Sequence, residues 1–275
     1  MSLFNNAVII GTGLIGSSLG VGLKKKRLVR LVTGFSRHKE NARLAKKLGA
    51  IDIAGSSLSE INEADLVILA MPPAAIISTA VKIAGRIKKG CIVIDVGSTK
   101  EEIVSRASRY IPNFIGCHPL CGSEKRGSAN LVPGLFRGSV CVVTPSPKTD
   151  KCLLGKVCSL WERLGSRVFV LSPGEHDRIL AFTSHLPHAV AFSLIRAVPE
   201  SFMGLSSGGL RDITRISSSD AALWSEIFLS NRGNLLRSIS AFQAKLSELK
   251  LAIKNKDKKL LTGMLSAAKK KREKI

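Results

Sequence analysis

Short apolar runs alternate with amphipathic stretches through the first two-thirds of the chain. Ala7-Val8-Ile9-Ile10, Leu31 to Phe35, Leu66 to Ala70 and Cys91 to Asp95 are unbroken apolar segments of strand length. Strands that read as continuous rather than alternating are those covered on both faces. Between them, Leu14 to Lys26, Asn41 to Leu48, Ala74 to Ile87 and Lys100 to Ser108 carry apolar residues at helical spacing. Further strands are predicted at Asn113 to Cys117, Ser139 to Thr144 and Arg167 to Leu171. Repeated strand–helix–strand units predict an open, mostly parallel α/β sheet with helices on both faces.

The pattern changes after Pro173, where strand signals stop. Glu175 to Ala197 reads as one helix, with Gly204 to Gly209 as a loop after it. From Leu223 onward, Trp224, Ile227, Phe228, Leu235, Leu236, Ile239, Phe242, Leu246, Leu249 and Ile253 keep a three-four spacing, a wide apolar stripe on long helices. The chain therefore divides into 1–172 and an all-helical 173–275. The stripe reads as the inside of a helical domain or as the contact between two subunits.

Composition narrows the class. Six cysteines lie without metal-ligand spacing, as expected of reduced thiols in the cytoplasm, and no metal site is expected. The longest apolar runs are far too short to cross a bilayer, and Met1 to Asn6 lacks the basic region of a signal peptide. The charge is +22, and Lys250 to Ile275 holds ten basic residues against two acids. That balance attracts anions of many kinds. Aromatic residues are only 5% and no nucleic-acid motif accompanies the lysines, so the charge reads as a solvated surface and not a nucleic-acid site.

Gly11-x-Gly13-x-x-Gly16 follows the first strand directly and opens the first helix. Glycines there allow a tight turn and close approach of a pyrophosphate to the helix N-terminus, so Gly11, Gly13, Leu14, Ile15 and Gly16 are the expected dinucleotide contacts. The second strand ends in Gly34-Phe35-Ser36-Arg37-His38-Lys39, with no acid before Glu40. An NAD site normally places a carboxylate there for the ribose 2′-hydroxyl. Ser36, Arg37 and Lys39 instead suit a 2′-phosphate, which predicts NADP ahead of NAD.

Four polar segments fall where packing alone would not require them. Asp95-Val96-Gly97-Ser98-Thr99-Lys100 ends the fourth apolar run, and Ser98 could cap the following helix. Gly116-Cys117-His118-Pro119-Leu120-Cys121-Gly122-Ser123-Glu124 ends the next strand on the same edge. Ser184-His185-Leu186-Pro187-His188 sets two histidines into a helix. Gly209 to Arg215 precedes a helix for which Ser219-Asp220 is the expected cap. Asp177 reads as an early-helix acid that favours the helix dipole.

Together these segments resemble the prephenate/arogenate dehydrogenase family of tyrosine biosynthesis, from the glycine loop to about Leu236. The resemblance rests on GxGxxG, D-x-G-S-x-K, H-P-x-x-G-[ST]-E, H-D…S-H-L-P-H and R-D-x-[ST]-R. It implies a Rossmann domain followed by a helical dimerisation domain, hence a homodimer, and oxidative decarboxylation of prephenate or arogenate. His118 matches the family's catalytic histidine and Ser98 the serine that orients it. Arg215 matches the arginine for a substrate carboxylate, Ser123 and Glu124 match loop residues near the substrate side chain, and His185 and His188 match the pocket histidines. A β-hydroxyacid dehydrogenase would share the layout but needs a catalytic lysine with a following asparagine, where this chain has its two histidines and Arg215. An NADP-binding sensor with a basic nucleic-acid surface would need lysines interleaved with aromatics.

Overall fold

The computed structural model describes residues 2–121 and 127–274. Among the described residues, eight strands form one sheet: β1 (Phe4–Ile10), β2 (Val29–Phe35), β3 (Ile53–Ala54), β4 (Leu66–Leu69), β5 (Ile92–Asp95), β6 (Phe114–Leu120), β7 (Val140–Thr144) and β8 (Arg167–Val170). Their order is β3-β2-β1-β4-β5-β6-β7-β8, with only the β6–β7 pair antiparallel. The strand order reverses between β1 and β4, so a crevice opens at their carboxyl ends, where such sheets bind ligands.

Strand alternation explains the unbroken apolar runs. Ala7 and Ile9 face α1 (Leu14–Lys25) and α5 (Lys151–Leu164), joining Leu19, Leu23, Leu160 and Trp161 in one core. Val8 and Ile10 face the other way, into a second core with Ile76 and Ile83 of α3 (Pro73–Ile83) and Ile103 of α4 (Glu101–Ala107). Helix α2 (Lys39–Lys47) contributes Ala45 to the first core.

Strand β6 departs from expectation by running on to Leu120. Its pairing with β5 ends at Gly116, whereas its pairing with β7 continues to Leu120. His118 thus lies inside a strand, opposite Val142, at the carboxyl edge of the parallel sheet. Pro119 follows the last β5 partner, so its missing N–H costs no bond to that neighbour. The two-residue β3 carried no readable periodicity.

Beyond β8 the chain is helical: α6 (Pro173–Leu180), α7 (Leu186–Ala197), α8 (Gly208–Thr214), α9 (Ala221–Ser230), α10 (Arg232–Lys254) and α11 (Lys258–Arg272). The expected single helix over 175–197 is broken by a π turn at Ala181–His185. Such turns re-aim side chains within a helix and recur at functional sites. The expected loop at 204–209 is partly structured, since a 3-10 turn fills Glu200–Leu205 and α8 starts at Gly208. Asp220 caps α9 as expected, accepting from Leu223 N at 2.8 Å. Contacts of α4 with α6 and of α3 with α9 tie the helical part to the sheet.

Candidate active site

The glycine loop sits at the crevice. Gly11 has φ +105°, and a Cβ there would lie 2.1 Å from the Ala70 carbonyl oxygen. A Cβ on Gly16 would lie 2.0 Å from the Gly11 carbonyl oxygen, so these two glycines let loop, helix and β4 approach one another. Gly13 differs, because a Cβ there would meet nothing within 4 Å. It is the N-cap of α1 with no side-chain cap, which leaves backbone N–H groups at the helix start to meet an anion. Thr12 is buried beside it, and its Oγ1 has no hydrogen-bond partner among the described residues. An uncapped helix start, open space over the middle glycine and an unpaired hydroxyl fit a dinucleotide pyrophosphate.

Ser36 is half-buried at the end of β2, and Arg37 and Lys39 are exposed. Arg37 Nε donates to His38 Nε2 at 3.3 Å, and the Glu40 carboxylate lies 3.6 Å from His38 Nδ1. The first carboxylate after β2 is therefore near His38 and exposed.

A second constellation gathers at the ends of β5 and β6. Asp95 and Lys100 form a fully buried ion pair, and Gly97 N donates to Asp95 Oδ2 at 2.8 Å. His118, half-buried, has its Nδ1 2.8 Å from His176 Nε2. His176 Nδ1 lies 2.7 Å from Asp177 Oδ1. Asp177 also accepts from Lys100 N at 2.8 Å and from Glu101 N at 2.9 Å. It thus caps α4 from across the fold. That corrects two expectations: Asp177 serves a helix other than its own, and Ser98 does not cap α4, whose N-cap residue is Lys100.

Desolvation sets the charge states here. Burial, the neighbouring His176, Lys100 and, least, His185 hold His118 well below the usual histidine range. Burial, then Lys100 and His185, pushes His176 down to about 2. Both rings are neutral at ordinary pH, and a neutral imidazole can accept a proton.

The helical residues form a third group. His185 is buried, its Nδ1 accepting from Asn231 Nδ2 at 3.1 Å, and Asn231 also donates to the Asp177 carbonyl at 2.7 Å. Burial first of all lowers His185 to about 4. His188 is half-buried and stacks on Trp224 at 3.5 Å between ring centroids. Its Nδ1 lies 3.0 Å from the Ser184 carbonyl oxygen, a helical i,i+4 contact. Arg215 is exposed at the start of a 3-10 turn that packs against α7.

Two family models match this chain: "Prephenate dehydrogenase, nucleotide-binding domain" over residues 19–170, and "Prephenate dehydrogenase, dimerization domain" over residues 172–267. The chain belongs to the prephenate dehydrogenase family. A prephenate dehydrogenase of Bacillus subtilis is 33% identical over 273 residues, covering 95% of this chain and 74% of its own length. The crystal structure of A. aeolicus prephenate dehydrogenase with hydroxyphenyl propionate and NAD+ superposes with a TM-score of 0.93 at 32% identity, covering 98% of both chains. That of Synechocystis arogenate dehydrogenase gives 0.87 at 30% identity, covering 98% of this chain and 99% of the other. The family is one of oxidoreductases with a nicotinamide cofactor, and the open loop at Gly13 accords with such a ligand.

For this prephenate dehydrogenase family member, the structure gathers around His118 groups to which the sequence reading gave no role at that ring. His176, Asp177 and Lys100 surround it, whereas no hydrogen bond joins Ser98 to His118. The ring is held by His176 instead. Ser98 is half-buried on the loop after β5, next to Thr99, whose hydroxyl accepts from Ser230 at 3.1 Å. Ser123 and Glu124 lie outside the described residues. The available signal for His176 was the His-Asp dipeptide just after the last strand.

Proposed function

We propose that this chain oxidises and decarboxylates prephenate, with arogenate as a second substrate, and that it prefers NADP to NAD. The observation that carries this reading is His118, a neutral imidazole at the carboxyl edge of the sheet with Nδ1 tied inward and its ring half-buried. A bound nicotinamide supplies the hydride acceptor. His118 takes the proton of the ring hydroxyl as general base, at which point the ring carboxylate leaves as carbon dioxide and the ring becomes aromatic. Ser98 is assigned to hydrogen-bond that hydroxyl on the motif alone. Arg215 binds a substrate carboxylate, for which a planar guanidinium gives two parallel donors.

His188 is the better candidate than His185 for contact with substrate, because His185 is buried and tied to Asn231. Ser123 and Glu124 are assigned to the substrate side chain on the motif alone. Gly11, Gly13, Leu14, Ile15 and Gly16 would hold the pyrophosphate, and Ser36, Arg37 and Lys39 the 2′-phosphate. A second copy of the chain covers the apolar residues that α10 and α11 leave exposed, making the enzyme a homodimer, with 173–275 as its dimerisation part.

The test is a steady-state comparison of prephenate and arogenate, each with NADP and with NAD, following the reduced cofactor. We expect turnover with prephenate and an NADP preference of about a hundredfold in kcat/KM, roughly 2.7 kcal/mol. Turnover with NAD alone would overturn the 2′-phosphate assignment. No turnover in any pairing would overturn the activity.

A further inference from the structure

We propose that His176 and Asp177 fix the tautomer of His118, holding its proton on Nδ1 so that Nε2 presents a bare lone pair to the substrate hydroxyl. The catalytic use of that lone pair rests on the function proposed above, but the tautomer itself does not.

The direction of the chain follows from its fixed end. Asp177 Oδ2 receives Glu101 N, Oδ1 receives Lys100 N, and His176 Nδ1 lies 2.7 Å from the same Oδ1. The Lys100 and Glu101 N–H groups are fixed donors at the start of α4, one on each oxygen, and they hold the group as an acceptor-only carboxylate even though burial pushes its pKa up. His176 must then carry its hydrogen on Nδ1. The opposite tautomer would set a nitrogen lone pair against a carboxylate oxygen at 2.7 Å. A neutral imidazole has one N–H, so His176 Nε2 is an acceptor. It faces His118 Nδ1 at 2.8 Å, and that nitrogen must donate.

The groups around His118 agree with this reading. His176 comes from α6, Lys100 from the loop before α4, His185 from the π turn, and Cys141 from β7 lies against the His118 backbone. Apart from Asp177, reached only through His176, the anionic Asp95 is engaged by Lys100 and Gly97. When the substrate O–H breaks and a His118 Nε2–H bond forms, the ring becomes an imidazolium. Its positive charge is then offset through His176 by the Asp177 carboxylate. His176 and Asp177 are positioning residues, since neither needs to touch the substrate.

The experiment labels the full-length protein with 15N-histidine and reads tautomers from the ring nitrogen shifts, without cofactor or substrate. Only five histidines are present, and single His→Asn variants assign them. The expected spectrum has His118 protonated at Nδ1 and bare at Nε2. A wild-type spectrum with His118 protonated at Nε2 overturns the proposal whatever the enzyme's activity.

Two variants test the cause. Asp177→Asn offers His176 an amide donor, and His176→Phe removes both hydrogen bonds while keeping a flat, somewhat larger ring in place. In each folded variant His118 should lose its single tautomer and kcat should fall on the order of a hundredfold with KM within about threefold. Retention of the Nδ1–H tautomer and of kcat in both variants overturns the relay. An inactive wild type with the expected spectrum would sink the functional reading while upholding the tautomer assignment.

Discussion

Lys100 and Asp95 form an ion pair from which water is excluded, with both side chains fully buried. Removing one member leaves the other charge buried without a partner, which costs about 3–5 kcal/mol. Lys100→Met should lower unfolding stability by that amount in urea titration. The double variant Lys100→Met/Asp95→Asn should recover a large part of the loss, giving a coupling of at least about 2 kcal/mol. A single variant within about 1 kcal/mol of wild type would contradict the burial of the pair. Because the Lys100 charge depresses His118, Lys100→Met should also make that ring easier to protonate.

Acid should destabilise the protein from an unusually high pH. His118, His176 and His185 are held neutral in the folded state, below the ordinary histidine value of 6.5. A depressed folded pKa leaves stability intact above 6.5 and removes it as pH falls towards the folded value, because the unfolded chain binds more protons. For His185 that window runs from 6.5 down to about 4. Three such groups give a slope approaching about 4 kcal/mol per pH unit below the upper limit. Burial raises the Asp95 and Asp177 carboxyls, which acts with the opposite sign and offsets part of this slope. Thermal melts between pH 7.5 and 5.5 check this, and a flat Tm across that span would refute it.

The two glycines of the cofactor loop should fail in different ways. Gly11→Ala combines a left-handed backbone with a Cβ 2.1 Å from the Ala70 carbonyl, so it should destabilise the apo protein by roughly 2 kcal/mol or more. Gly13→Ala meets nothing within 4 Å and should leave the apo melting temperature near that of wild type. Its methyl instead occupies the approach to the helix N-terminus, and cofactor affinity should drop at least about tenfold. Calorimetric melting and cofactor titration of both variants separate the two effects.

The sheet and the glycine loop were legible because their signals are local. Ala7 to Ile10, the Gly11 turn and the start of α1 are adjacent in sequence, and each needs only its neighbours to be understood. The extension of β6 through Pro119 was not legible, because it depends on a β7 partner more than twenty residues away. Asp177 was misread for the same reason. Its position two residues after Glu175 suggests a dipole acid, whereas the N–H groups it accepts from belong to Lys100 and Glu101, 77 and 76 residues earlier. The resemblance supplied His118 itself, but its hydrogen-bond partner His176 emerged only once β6 and α6 were side by side. The π turn at Ala181–His185 leaves no mark in apolar spacing that distinguishes it from a straight helix.

The apolar stripe of the last helices makes the final prediction. Leu235 and Ala252 of α10 are buried within this chain, but Leu236, Phe242, Leu246, Leu251 and Ile253 are exposed. Leu260 and Leu265 extend the exposed set onto α11. Scattered exposed leucines are ordinary, whereas a series along a 23-residue helix and its neighbour marks an interaction surface. The match of residues 172–267 to a dimerization domain points to a second copy as the occupant. Light scattering should therefore give a dimer mass for the wild type. Leu246→Glu places a charge in the middle of the stripe, on a side chain 53% exposed in the single chain. Burying that charge against an apolar partner costs several kcal/mol, while the isolated fold loses little by the change. The variant should run as a monomer, or as a dimer weakened by at least about a hundredfold, with the helical content of its circular dichroism spectrum retained. A wild-type monomer at micromolar concentration, or a variant dimer of undiminished strength, would rule out this face as the interface.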